Sequence, residues 1–130
     1  MATLRFHTRI ARPPREVWEV VSDAGRIAEW FPGLESSSAE GSVRRCVLPG
    51  GAELAEEVVT SDPELMRFQY RIVSGPLRVE EHLATVDVIE DGESSLVVYS
   101  TEVKPDDLAP ILAAALEGGI KGLKEYCENR

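Results

Sequence analysis

The chain has only two histidines and two cysteines in 130 residues. His7, His82, Cys46 and Cys127 show none of the close spacings of a zinc site, so no metal is expected. A basic excess is also missing. Fourteen Lys and Arg stand against twenty-three Asp and Glu, giving a net charge of −9 at pH 7. Nucleic acid and anionic membrane both reward a basic footprint, so neither is expected as the main partner. No apolar run approaches the ~20 residues of a membrane-spanning helix, so stable membrane insertion is not expected. Residues 1–5 carry no apolar signal-peptide core, which makes the cytoplasm the expected location. There is no P-loop and no dinucleotide fingerprint. The glycines Gly118, Gly119 and Gly122 fall late in a helical pattern rather than after a strand. No cofactor is expected. Repeats, low-complexity tracts and linkers are lacking too, so residues 1–130 read as one domain.

What is present is a strand-rich pattern framed by helices. Residues 3–11 alternate, with Leu4, Phe6, Thr8 and Ile10 on one face and Arg5, His7 and Arg9 on the other. That is a half-buried strand. Pro13-Pro14 stops it and suits a helix start. Val17, Trp18, Val20 and Val21 give a helical stripe, and Ile27, Trp30 and Phe31 mark a second short helix ended by Pro32-Gly33. Strands are expected near 34–39, 43–48, 53–61, 66–73, 78–90 and 94–103. Turn signals such as Pro49-Gly50-Gly51, Ser74-Gly75-Pro76 and Asp91-Gly92 separate them. Their close spacing predicts hairpins and an antiparallel sheet. Lys104-Pro105-Asp106-Asp107 opens a last helix, with Leu108, Ile111, Leu112, Ala115, Leu116, Ile120, Leu123 and Tyr126 on its apolar side. The glycines of that helix imply either close packing against the sheet or open volume beside a cavity.

Alternation also sorts candidate chemistry. In 53–61, Leu54, Glu56, Val58 and Thr60 share one face, and Glu53, Ala55, Glu57 and Val59 the other. In 66–73, Met66, Phe68, Tyr70 and Ile72 alternate with Arg67, Gln69 and Arg71. In 78–90, Glu80, His82, Ala84, Val86 and Val88 form the face whose far half is apolar. His82 there is either a packed histidine or a proton shuttle. Arg44 and Arg45 lie on opposite faces of their strand, and the sequence leaves open which one points inward. Trp18 reads as a core anchor.

Arg12-Pro13-Pro14-Arg15-Glu16-Val17-Trp18, with Trp30-Phe31-Pro32-Gly33 and the Gly41–Arg45 and Pro49–Val58 hairpin, resembles the START-like (SRPBCC) superfamily. The nearest branch is the bacterial polyketide cyclase/dehydrase-like group. The resemblance implies an α+β helix-grip fold. In it a curved antiparallel sheet of about seven strands wraps a long C-terminal helix, with two short helices after the first strand. It also implies an apolar cavity between sheet and helix, gated by loops at Pro49, Gly50, Gly51 and at Gly75, Pro76.

The cavity residues so implied are Trp30, Arg45, Leu54, Glu56, Val58, Phe68 and Tyr70, with His82, Tyr99, Leu112, Leu116, Gly119 and Ile120. Glu56, His82 and Tyr99 are the candidates for chemistry. A carboxylate facing an apolar cavity is an acid–base candidate or a structural partner of an arginine. A buried phenol either packs or polarises a carbonyl. Three functions stay open: a carrier or sensor of a hydrophobic small molecule (lipid-, polyketide- or aromatic-like), a polyketide cyclase or dehydratase, and a protein-interaction domain. Monomer and homodimer are equally compatible. Fold alone does not choose.

Overall fold

Side-chain alternation in the first strand sets the frame on which the rest packs. The computed structural model describes residues 1–130. β1 (Ala2–Ile10) turns Leu4, Phe6, Thr8 and Ile10 inward and leaves Arg5, His7 and Arg9 exposed, as the pleat requires. α1 (Pro14–Ser22) begins on a proline, whose missing N–H costs nothing in the first turn, and buries Val17, Trp18, Val20 and Val21. The expected second short helix is a 3-10 segment, Ala24–Glu29, kinked at Arg26. Six strands follow: β2 (Ser36–Glu40), β3 (Val43–Val47), β4 (Glu53–Asp62), β5 (Arg67–Ser74), β6 (Glu81–Asp91) and β7 (Ser94–Lys104). A 3-10 turn, Asp106–Leu108, leads into α2 (Ala109–Glu128).

The seven strands form one antiparallel sheet in the order β1-β7-β6-β5-β4-β3-β2. Strands β2 to β7 run as a meander, and β1 closes onto β7. α2 packs across β1 and β7 and buries Leu112, Leu116, Gly119, Ile120, Leu123 and Cys127. The stripe is narrower than expected, because Ile111 is 54% exposed and Tyr126 half-buried. Ile10, Val17, Val86, Val97, Tyr99 and Leu123 are among the side chains that seal the core. No helix is long and apolar enough to cross a membrane.

Three departures from strict periodicity matter below. β6 starts at Glu81 rather than at residue 78, so Glu80 stays outside the strand and exposed. The β5–β6 ladder runs only from Arg67↔Asp87 to Tyr70↔Ala84, and beyond it the two strands splay around the 75–80 loop. The β4–β5 ladder carries two register shifts, one between Ala55 and Glu56 that leaves Val73 of β5 unpaired and one between Val58 and Thr60 that leaves Val59 of β4 unpaired. Through Glu53–Glu57 the β3–β4 ladder keeps the period of two, so Ala55, opposite Arg45, stays on the face away from Glu56 and is nonetheless buried.

Gly119 and Gly122 of α2 serve close approach, and their partner is not the sheet. A Cβ on Gly119 would lie 2.5 Å from the Phe31 ring, and one on Gly122 would lie 2.1 Å from the Trp30 carbonyl oxygen. The turn after the 3-10 segment therefore seats directly on the helix backbone, and no open volume remains at Gly119.

Candidate functional site

Between β4–β6 and the N-terminal half of α2 lies a cavity of about 280 Å³. Leu112, Ala115 and Leu116 form its helix side, and Leu54, Tyr70 and Ile72 its sheet side. Phe31 and Leu34 close one end, and Leu48, Pro76 and Leu77 come from the two loops flanking the mouth. Ile111 lies on the rim, which explains its exposure. Glu56 is the one lining residue with a formal charge, and His82 the one histidine.

The polar floor is built by cross-strand register. Arg44 on β3 pairs with Glu56 on β4, and Glu56 pairs with Ile72 on β5. Directly opposed residues share a face, so an inward Glu56 brings Arg44 inward with it. Arg44 is 1% exposed and donates Nε–H to Glu56 Oε1 at 2.8 Å. Its guanidinium carbon stands 4.6 Å from the Tyr70 ring centre, within cation–π range. Burial pushes the Glu56 carboxyl above the usual carboxylate range, and Arg44 pulls it part of the way back. The Cys46 thiol lies 3.9 Å from Glu56 Oε1, so its surroundings are not purely apolar. Burial, followed by the Glu56 charge, pushes that thiol up to about 12. Tyr70 and Tyr99 share a hydroxyl–hydroxyl hydrogen bond in the core. Both phenols are held neutral, raised above their ordinary value chiefly by burial.

His82 sits where β5 and β6 part. Continuing their register two residues past Tyr70↔Ala84 would set Ile72 opposite His82. The imidazole occupies that gap, and the Ile72 N–H donates to His82 Nδ1 at 3.0 Å. Burial lowers the imidazole to about 4, so it is neutral at pH 7.

Of the residues expected at the cavity, Leu54, Glu56, Tyr70, His82, Leu112, Leu116 and Pro76 line it. The others stand elsewhere. Arg45 is exposed, one residue out of phase with Arg44 on the pleat. Trp30 turns away, toward a surface groove with Val20 and Tyr126, while its neighbour Phe31 takes the cavity position. Tyr99 is completely buried behind Tyr70 and does not reach the cavity. Phe68 and Ile120 are core side chains, and Val58 packs on the core edge past the cavity. Gly119 is covered by Phe31. Pro49, Gly50 and Gly51 form an exposed turn off the wall, and it is Leu48 that lines the cavity there. Gly75 has φ +150°, and a Cβ on it would lie 2.7 Å from Leu54 Cδ1. Sequence reasoning missed Leu34 as a wall residue and left open which of Arg44 and Arg45 faces inward. For Arg44 the signal was its opposition to Glu56, which needs the hairpin register.

Comparison with known proteins places this geometry. A family model described as "Polyketide cyclase / dehydrase and lipid transport" matches residues 1–128. No curated protein matches the chain in sequence. Among solved structures, the protein XoxI from Bacillus cereus superposes with TM-score 0.89 at 24% identity, covering 97% of this chain and 95% of that one. The Zhui aromatase/cyclase from Streptomyces sp. R1128 gives TM-score 0.81 at 20% identity, over 99% and 94%. Norcoclaurine synthase from Thalictrum flavum, solved with dopamine and hydroxybenzaldehyde, gives TM-score 0.75 at 20% identity, over 96% and 85%. At these identities the likeness is one of fold.

Proposed function

The chain belongs to the polyketide cyclase/dehydrase and lipid transport family, and from that premise we propose that it holds a hydrophobic small molecule in the cavity between sheet and α2, as a carrier or sensor. The observation that carries this reading is the composition of the wall. A cavity of about 280 Å³ is apolar except at Glu56, His82 and the Tyr70 ring. A cavity of ~150 Å³ accepts benzene, so this one has room for about two fused rings.

The cyclase alternative needs an acid–base pair with freedom to move a proton. Glu56 and His82 share one wall, which favours that alternative. Glu56 is tied to Arg44, however, and His82 Nδ1 is taken by a backbone amide. Tyr99, the third candidate, is sealed behind Tyr70. Binding without turnover is therefore the better-supported function.

The test is titration with N-phenyl-1-naphthylamine, a neutral apolar fluorophore. The wild-type chain should bind it, and Ala115→Trp should abolish binding with the fold intact by circular dichroism, because the indole fills the cavity. Equal binding by both would place the ligand elsewhere. Native mass spectrometry of the protein from its own host would then report which class of compound it carries.

A further inference from the structure

His82 and Glu56 both line the apolar cavity, His82 where it meets a surface groove bordered by Val79 and Glu81, and each has one polar atom without a protein partner. A backbone N–H only donates, so the His82 nitrogen that receives the Ile72 N–H carries a lone pair. A neutral imidazole has one donor and one acceptor, so the proton must be on Nε2. No protein group bonds Nε2, and it is not among the sealed buried atoms without a partner. The ring is thus a fixed donor. It cannot accept a proton at Nδ1 without breaking the Ile72 bond. Glu56 spends Oε1 on Arg44 and Cys46, while no protein group bonds Oε2, and that atom is not sealed off either.

No cation is available at the wall. The guanidinium of Arg44 donates to Glu56 and to the Ala24 carbonyl oxygen, its Nη2 is buried without a partner, and Arg44 does not line the cavity. A ligand carboxylate would meet the Glu56 charge with no counter-ion, in a site that has lost most of its water.

We propose that the cavity selects uncharged carbonyl compounds, the ligand oxygen accepting from His82 Nε2–H, and that Glu56 rejects carboxylates. This makes His82 a specificity-determining donor rather than a proton shuttle. It rests on the cavity being the ligand site.

The experiment compares three ligands of one shape by calorimetry: 2-acetylnaphthalene, 2-ethylnaphthalene and 2-naphthoate. The ketone should bind about tenfold or more tighter than the other two, the ratio that one unpaired polar contact sets. His82→Asn keeps an oxygen for the Ile72 N–H but is too short to reach the cavity. It should remove the preference for the ketone, the ketone-to-ethylnaphthalene affinity ratio falling to about one. Glu56→Gln should bring naphthoate up toward ethylnaphthalene. A long-range 1H–15N spectrum of the wild-type imidazole should show Nε2 protonated. Equal affinities for ketone and ethyl compound, an unchanged preference in His82→Asn, or an Nδ1-protonated ring would each overturn the proposal while the hydrophobic-ligand reading stands. Binding of none of the three would overturn both.

Discussion

Replacing Arg44 by Met tests the buried pair that floors the cavity. The substitution keeps most of the side chain's length and its contact with Tyr70 and Phe68. It removes the 2.8 Å bond to Glu56 Oε1 and leaves that carboxylate, only 7% exposed, without its cation. Removing one partner of a buried ion pair costs about 3–5 kcal/mol, because the other charge stays desolvated and unpaired. For a domain of this size each kcal/mol is worth about 3 °C, so Tm should fall by about 9–15 °C. The double variant Arg44→Met/Glu56→Gln should recover about 2 kcal/mol or more relative to the sum of the single changes, since it leaves no uncompensated charge. Urea denaturation of the four proteins gives the cycle.

pH supplies a second check with a defined sign. In Arg44→Met the Glu56 carboxyl loses the cation that pulls it down, so its folded value rises further above the ordinary 4.5. The folded state then binds more protons than the unfolded state, and stability must fall as pH rises above 4.5. The deficit against wild type should therefore shrink on acidification. An Arg44→Met protein within about 1 kcal/mol of wild type, or single effects that add to within about 0.5 kcal/mol, would refute the coupling.

Two further outcomes follow from local geometry. Gly118→Ala should stabilise the chain by about 0.5–1 kcal/mol, since a Cβ there meets nothing nearer than Pro32 at 4.0 Å. Gly122→Ala should unfold it or cost several kcal/mol by forcing the Trp30 turn off the helix, and thermal melts of both distinguish them. His82, lowered to about 4 by burial, contributes stability that is lost as pH falls from 6.5 toward 4, because the unfolded imidazole takes up a proton there and the folded one does not. Subtracting the stability–pH curve of His82→Phe from that of wild type should isolate this slope, and parallel curves would contradict it.

The order of elements was legible because it depends on short-range physics. Alternation in β1, β5 and β7, proline at the start of α1 and glycine turns between strands all act within a few residues, and each appears where the pattern placed it. The faces of β7 followed too, with Val97, Tyr99, Thr101 and Val103 all inward. Periodicity says less where the backbone leaves regular geometry. The second short helix is a 3-10 segment, and β6 begins at Glu81, which leaves Glu80 outside the strand.

The sequence by itself determined the fold: a sheet of seven strands, a long helix to cover it, and apolar faces that had to meet. It also determined that a glutamate and a histidine stand on inward faces. Only the tertiary structure decided what those groups are. Whether Arg44 or Arg45 neutralises Glu56 depends on the pairing of β3 with β4. Whether His82 shuttles a proton or only donates one depends on a backbone amide ten residues away, freed where β5 and β6 splay. Tyr99 faces inward as its strand dictates, yet Tyr70 stands between it and the cavity. A strand pattern assigns a side chain to a face. Depth on that face, and the partner that holds the proton, are set by contacts between residues far apart in the chain.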